Sequence, residues 1–116
     1  LTLLKELDLE NKIETLYIPY QGSACIILEA YDKVIDYIFQ NQPTYKIKIT
    51  DQVFIILSYS NFGIYPKVNH DATVLYRTYT NIYQDSTIYG DALVVGEDSQ
   101  SVSQEIIDSI LNIFYR

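Results

Sequence analysis

The chain opens with leucines at 1, 3, 4, 7 and 9 separated by charged residues. That spacing predicts a short amphipathic helix, or the end of a linker, over residues 1–12, followed by a single domain over 13–116. The period then drops to two. In "IETLYIPY" apolar and polar positions alternate as in a strand, and Pro19, which has no amide hydrogen, suits the strand's end or a sheet edge. "TYKIKIT" alternates more strictly, with Tyr45, Ile47 and Ile49 on one face and Lys46 and Lys48 on the other. It predicts a half-buried strand. "QVFIILSY" is apolar on both faces and predicts a central one.

Residues 23–40 admit two readings. Ala24, Ile27, Leu28, Tyr31, Val34, Ile35, Ile38 and Phe39 fall on one helical stripe, which allows a single helix from Ser23 to Gln40. Alternatively "ACIILE" is a strand joined to "TLYIPY" through a Gln21–Gly22 turn, and a helix follows over "YDKVIDYIFQNQ". β-branched density leans only slightly toward the second.

Further along, "SNFGIYPKVNHD" collects turn residues and predicts a loop. "ATVLYR" is a strand by composition, and "TYTNIYQDS" continues it or wanders. Leu93, Val94 and Val95 form a strand between Gly90 and Gly96, after which Gly96-Glu97-Asp98 turns. Ser101 or Ser103 can cap a last helix with Glu105 in its first turn and Ile106, Ile107, Ile110, Leu111, Ile113 and Phe114 on its apolar side. The expected class is α+β: a small mixed or antiparallel sheet of about five to six strands packed by two helices, plus the short N-terminal helix.

Composition agrees with a globular domain. A chain of 116 residues, 48% apolar and 20% charged, can bury a core without metals or disulfides. Cys25 is its one cysteine, so no internal disulfide forms and a reducing cytoplasm is the expected location. No apolar run approaches the ~18 residues of a membrane span, and no signal peptide is visible. The absence of methionine, with Leu1 first, is expected of a trimmed chain or a piece of a longer one. Net charge is −7, which disfavours direct nucleic-acid binding. From Thr78 to Tyr115 there are six acids (Asp85, Asp91, Glu97, Asp98, Glu105, Asp108) and no base. Such a tail repels DNA and attracts a basic protein surface.

Candidate chemistry is sparse. "IYGDALVVGED" has glycines but places Asp91, Glu97 and Asp98 where a phosphate loop needs positive charge, so it predicts a plain strand. His70 beside Asp71 could activate Cys25 as a nucleophile, yet Cys25 sits in an apolar run where cysteine is usually an inert core residue. Two Cys or His side chains are too few for zinc, and the carboxylates form no calcium loop. No catalytic residue, metal or cofactor is expected. "YKIKI" separates its tyrosine from its lysines and so makes a poor single-strand binder. Twelve tyrosines stand out, among them Tyr76, Tyr79, Tyr83 and Tyr89. They suit a protein interface, and equally the residue bias of an AT-rich genome.

Two blocks, "SNFGIYPKVNHDATVLYR" and "STIYGDALVVGEDSQSVS" leading into "QEIIDSILNIF", resemble a family of small uncharacterised domains encoded by phages, plasmids and conjugative elements. That family's pattern is N-x-x-A-T-x-L, a gap, then I-x-G-D-A-L-I-V-G and an amphipathic helix. Its strand, strand, helix, strand opening is similar to residues 16–49 and favours breaking the long helix near Ala30. Its helix ends in a glycine pair where this chain has Gln40 and Asn41. The resemblance implies no activity and no catalytic residues. It implies a setting among mobile elements that counter or manage host defence. The functional expectation is a non-enzymatic protein-binding domain that docks on a host protein through Asp91, Glu97, Asp98 and the tyrosines at 76, 79, 83 and 89. The alternative is a self-associating accessory domain, a possible homodimer, contacting itself through residues 76–89.

Overall fold

The structure, a computed structural model, describes residues 12–58 and 67–115. Two hairpins frame a sheet. Strand β1 (Lys12–Ile18) pairs antiparallel with β2 (Cys25–Ala30) in an unbroken register from Lys12↔Ala30 to Tyr17↔Cys25. The connecting turn contains Gly22 at φ +111, a conformation that L side chains rarely adopt. Helix α1 (Tyr31–Phe39) begins directly after Ala30, so residues 23–40 are a strand followed by a helix. The second hairpin pairs β3 (Thr44–Thr50) with β4 (Val53–Ser58) around Asp51 and Gln52, with a register shift between Lys48 and Thr50.

Strand β5 (Ala92–Val95) joins the hairpins, giving the order β2-β1-β5-β4-β3 with every pairing antiparallel. All four of its residues are buried. Helix α1 covers one face through Val34 and Phe39 over Ile56, Leu93 and Val95. Helices α2 (His70–Thr80) and α3 (Gln104–Phe114) cover the other, setting Leu75, Ile107 and Ile110 against Leu16, Ile18, Ile55 and Val94. Burial on both faces explains why β4 and β5 read as continuous apolar runs.

The class is therefore α+β, with five strands and three helices among the described residues. "ATVLYR" corrects an expectation, since it lies inside α2. Asn69 caps that helix by accepting from the Ala72 amide, and Ala72, Leu75, Tyr76 and Tyr79 recur at helical spacing toward the core. The cap and tertiary burial outweigh the strand preference of Thr73 and Val74. His70 and Asp71 are thus helical; of the expected loop, residues 60–66 lie outside the described residues, as does the last residue of the expected central strand, 59. The expected N-terminal helix also lies outside them, except for Lys12, which begins β1. Ser103 caps α3, accepting from the Ile106 amide, whereas Ser101 accepts from the Glu14 amide.

Candidate functional site

The residues expected to form an acidic docking face fall at two ends of β5. Asp91 precedes the strand, while Glu97 and Asp98 follow it in a 3₁₀ turn (Glu97–Ser99). The four-residue strand that lies between them is itself roughly 13 Å long. Asp91 is also engaged within the fold. Its carboxylate accepts the Tyr20 amide at 3.1 Å and the Tyr17 hydroxyl. Burial, then the Asp91 charge, push the Tyr17 hydroxyl up to about 12. Glu97 and Asp98 are exposed, but lysines of β3 lie close by. Lys46 Nζ donates to Ser99 Oγ in the same turn, and the Glu97 charge raises the Lys48 pKa, behind the larger effect of the exposed Lys48–Asp51 ion pair. This end of the sheet is of mixed charge.

The tyrosines divide as well. Tyr76 and Tyr79 pack partly buried against the core, and Tyr76 and Tyr89 line a small cavity of about 170 Å³ with Tyr45. Tyr83 is 63% exposed. Cys25 is not a core residue. It is exposed, and among the described residues β2 has a strand neighbour on one side only. It lies beside Tyr17 on the α1 face, whereas His70 starts α2 on the opposite face. Among the described residues no group of three His, Cys, Asp or Glu side chains is placed to hold a metal. No helix among them is long and apolar enough to cross a membrane.

The described parts of the two blocks that carry the resemblance, residues 67–77 and 86–103, meet in space and perform structural work. Asn69 is fully buried; its side-chain amide donates to the Ile18 and Gly90 carbonyls, each at 2.8 Å, while Oδ1 accepts the Ala72 amide at 3.0 Å. Thr73 Oγ1 donates to the Asn69 carbonyl and accepts the Ile88 amide, whose own carbonyl accepts Asn69 N. Gly90 sits at φ +75, turning the chain so that Asp91 reaches Tyr20. At Gly96 any Cβ would press on the Ser101 carbonyl oxygen. Asn69 and Thr73 therefore tie α2 to the end of β1 and to residues 88–90 ahead of β5, while Gly96 closes the turn that follows β5.

The surface feature that sequence reasoning missed is the outer edge of β2. Exposed apolar side chains gather there: Ile26 is 44% exposed, Leu28 57% and Tyr37, on α1, 75%. A cleft of about 510 Å³ between β2 and α1 is lined by Tyr17, Cys25, Ile27, Val34 and Tyr37, with Lys33 beside them. The backbone bonding direction of β2 follows from its neighbours. Glu14 donates its amide to Ser101 Oγ and accepts Val102 N on its carbonyl, so it faces away from β2. In an antiparallel ladder this direction alternates, so Ile13, Thr15 and Tyr17 bond their partners Glu29, Ile27 and Cys25. Ile26 and Leu28 then turn their N–H and C=O outward. The outward amides on either side are capped, Ala24 N donating to Tyr115 Oη and Ala30 N to Glu29 Oε1, each at 2.9 Å.

The two sheet edges are built differently. β3 carries Lys46 and Lys48 and a register irregularity, both devices that discourage strand pairing. β2 carries neither lysine nor proline, and its register is unbroken. The signal in the sequence was the run Cys25-Ile26-Ile27-Leu28, apolar on both faces like a central strand, in an element that, among the described residues, pairs on one side only.

No protein-family model, curated protein or solved structure matches the chain.

Proposed function

We propose that this chain is a non-enzymatic protein-binding domain and that its contact surface is the outer edge of β2 with the apolar side chains beside it. The observation that supports this reading is the coincidence of outward backbone groups at Ile26 and Leu28 with exposed apolar side chains at the same residues. An added strand would satisfy the backbone groups and bury those side chains together, the logic of β-strand addition. The acidic docking face is the weaker form of the proposal, because Asp91 is engaged by Tyr17 and Tyr20 and the 97–98 turn is flanked by lysines. The resemblance of the Asn69 and Gly90 blocks to mobile-element domains supplies the setting for a partner from a host cell.

Capture from a low-GC bacterial lysate tests the surface. Tagged protein is compared with Leu28→Lys, and separately with Glu97→Gln/Asp98→Asn. Partners held by the parent chain and the acid variant but lost with Leu28→Lys are the expected result. Partners lost with the acid variant and kept with Leu28→Lys would return the docking role to the acidic turn.

A further inference from the structure

We propose that the strand seated on β2 is β2 of a second copy, related by a two-fold axis that passes between the two Ile27 residues, perpendicular to the sheet. This inference rests on the protein-binding reading above and names its partner. The open groups select the register. Ile26 and Leu28 are the outward-facing residues of β2 between two capped amides, those of Ala24 and Ala30. An antiparallel second strand that uses both, and neither capped amide, pairs Ile26 with Leu28 of the second copy and Leu28 with Ile26. Each is a hydrogen-bonded pair that exchanges two N–H···O bonds, about four bonds in all. Sliding by two residues in either direction would require Ala24 N, held by Tyr115, or Ala30 N, held by Glu29.

The side chains agree with this register. On the face of α2 and α3, each exposed Ile26 meets an exposed Leu28, an apolar cross-strand pair. On the α1 face, Ile27 meets its own copy on the axis and Cys25 meets Glu29. The one charged side chain of the strand therefore never faces itself, and like charges are not brought opposite one another. The interface is isologous, as two-fold dimers require, and it joins two five-stranded sheets into one continuous sheet.

Disulfide trapping reads the register directly. In a Cys25→Ser background, cysteine is introduced as Ile27→Cys, Ile26→Cys, Leu28→Cys, or Ile26→Cys with Leu28→Cys, and each folded variant is oxidised with copper phenanthroline. Ile27 sits in the non-hydrogen-bonded position against itself, where the Cβ atoms approach within about 4.5–5.5 Å and a disulfide closes with little movement. Ile27→Cys and the double variant are expected to form covalent dimers at least roughly tenfold faster than either other single variant. The parent chain, whose two Cys25 residues would lie about 13 Å apart along the strands, is expected to remain unlinked. Sedimentation equilibrium of the parent and of Leu28→Lys accompanies the trapping, with a dimer expected for the first and a monomer for the second.

A parent chain that sediments as a monomer at every concentration, or cross-links fastest through Leu28→Cys alone, overturns the pairing. If that monomer still captures a lysate protein through Leu28, the protein-binding reading stands without it. A dimer unaffected by Leu28→Lys overturns the edge as the self-contact.

Discussion

Asn69 shows how much a single polar side chain can decide in this fold. It donates to two carbonyls and accepts one helix amide while fully buried. Asn69→Ala would leave the Ile18 and Gly90 carbonyls unsatisfied and uncap α2. A loss of about 3 kcal/mol in urea denaturation is the expected cost. Asn69→Asp keeps the cap but replaces the donor with a carboxylate facing two carbonyls, and should be at least as damaging at neutral pH. Tyr17 is the second residue with a measurable signature. Its pKa, raised to about 12 against 10.0 for a free tyrosine, means the folded state favours the neutral hydroxyl. That contribution is complete below pH 10 and is lost as pH rises from there through 12. Ultraviolet titration should show the Tyr17 hydroxyl ionising late, and Asp91→Asn should lower its midpoint. Little of this was legible in the sequence. The N-x-x-A-T spacing and the glycines were visible, but that Asn69, Thr73 and Gly90 converge on one junction depends on long-range pairing.

Elements were more legible than residues where a period ran uninterrupted. β3, β4, β5 and α3 follow from alternation, apolar runs and a serine cap. α2 was misread because Thr73, Val74, Tyr76, Thr78 and Tyr79 carry strand preference, and the evidence for a helix lay in the Asn69 cap. The open edge of β2 could not be read at all, since an apolar run looks the same whether one or two neighbours will flank it. Helix ends carry their own test. Gln40 and Asn41, at φ 50 and 64, hold the left-handed conformation that ends α1. Gln40→Gly should stabilise the fold by about 0.5–1 kcal/mol, since the strain it relieves exceeds the added chain entropy. Gly96→Ala works in the opposite sense. Its φ of −84 is ordinary, so its cost is steric, against the Ser101 carbonyl, and a lowered melting temperature is expected.

At the scale of the whole molecule, charge separates the two ways of binding a protein. Each copy carries −7, so two copies repel, and salt should tighten β2-to-β2 pairing by screening that repulsion. An acidic turn docked on a basic partner would show the opposite dependence. The layered fold also fixes which parts can respond. β5 is sealed between α1 on one face and α2 and α3 on the other, whereas among the described residues β2 is paired on one side only. The most direct measurement is therefore amide hydrogen exchange at Ile26 and Leu28 across a dilution series. Their exchange should slow as concentration rises, further so at higher salt, while residues of β5 stay protected throughout. Exchange at Ile26 and Leu28 that is as fast in concentrated as in dilute protein would contradict an edge built to receive a second strand.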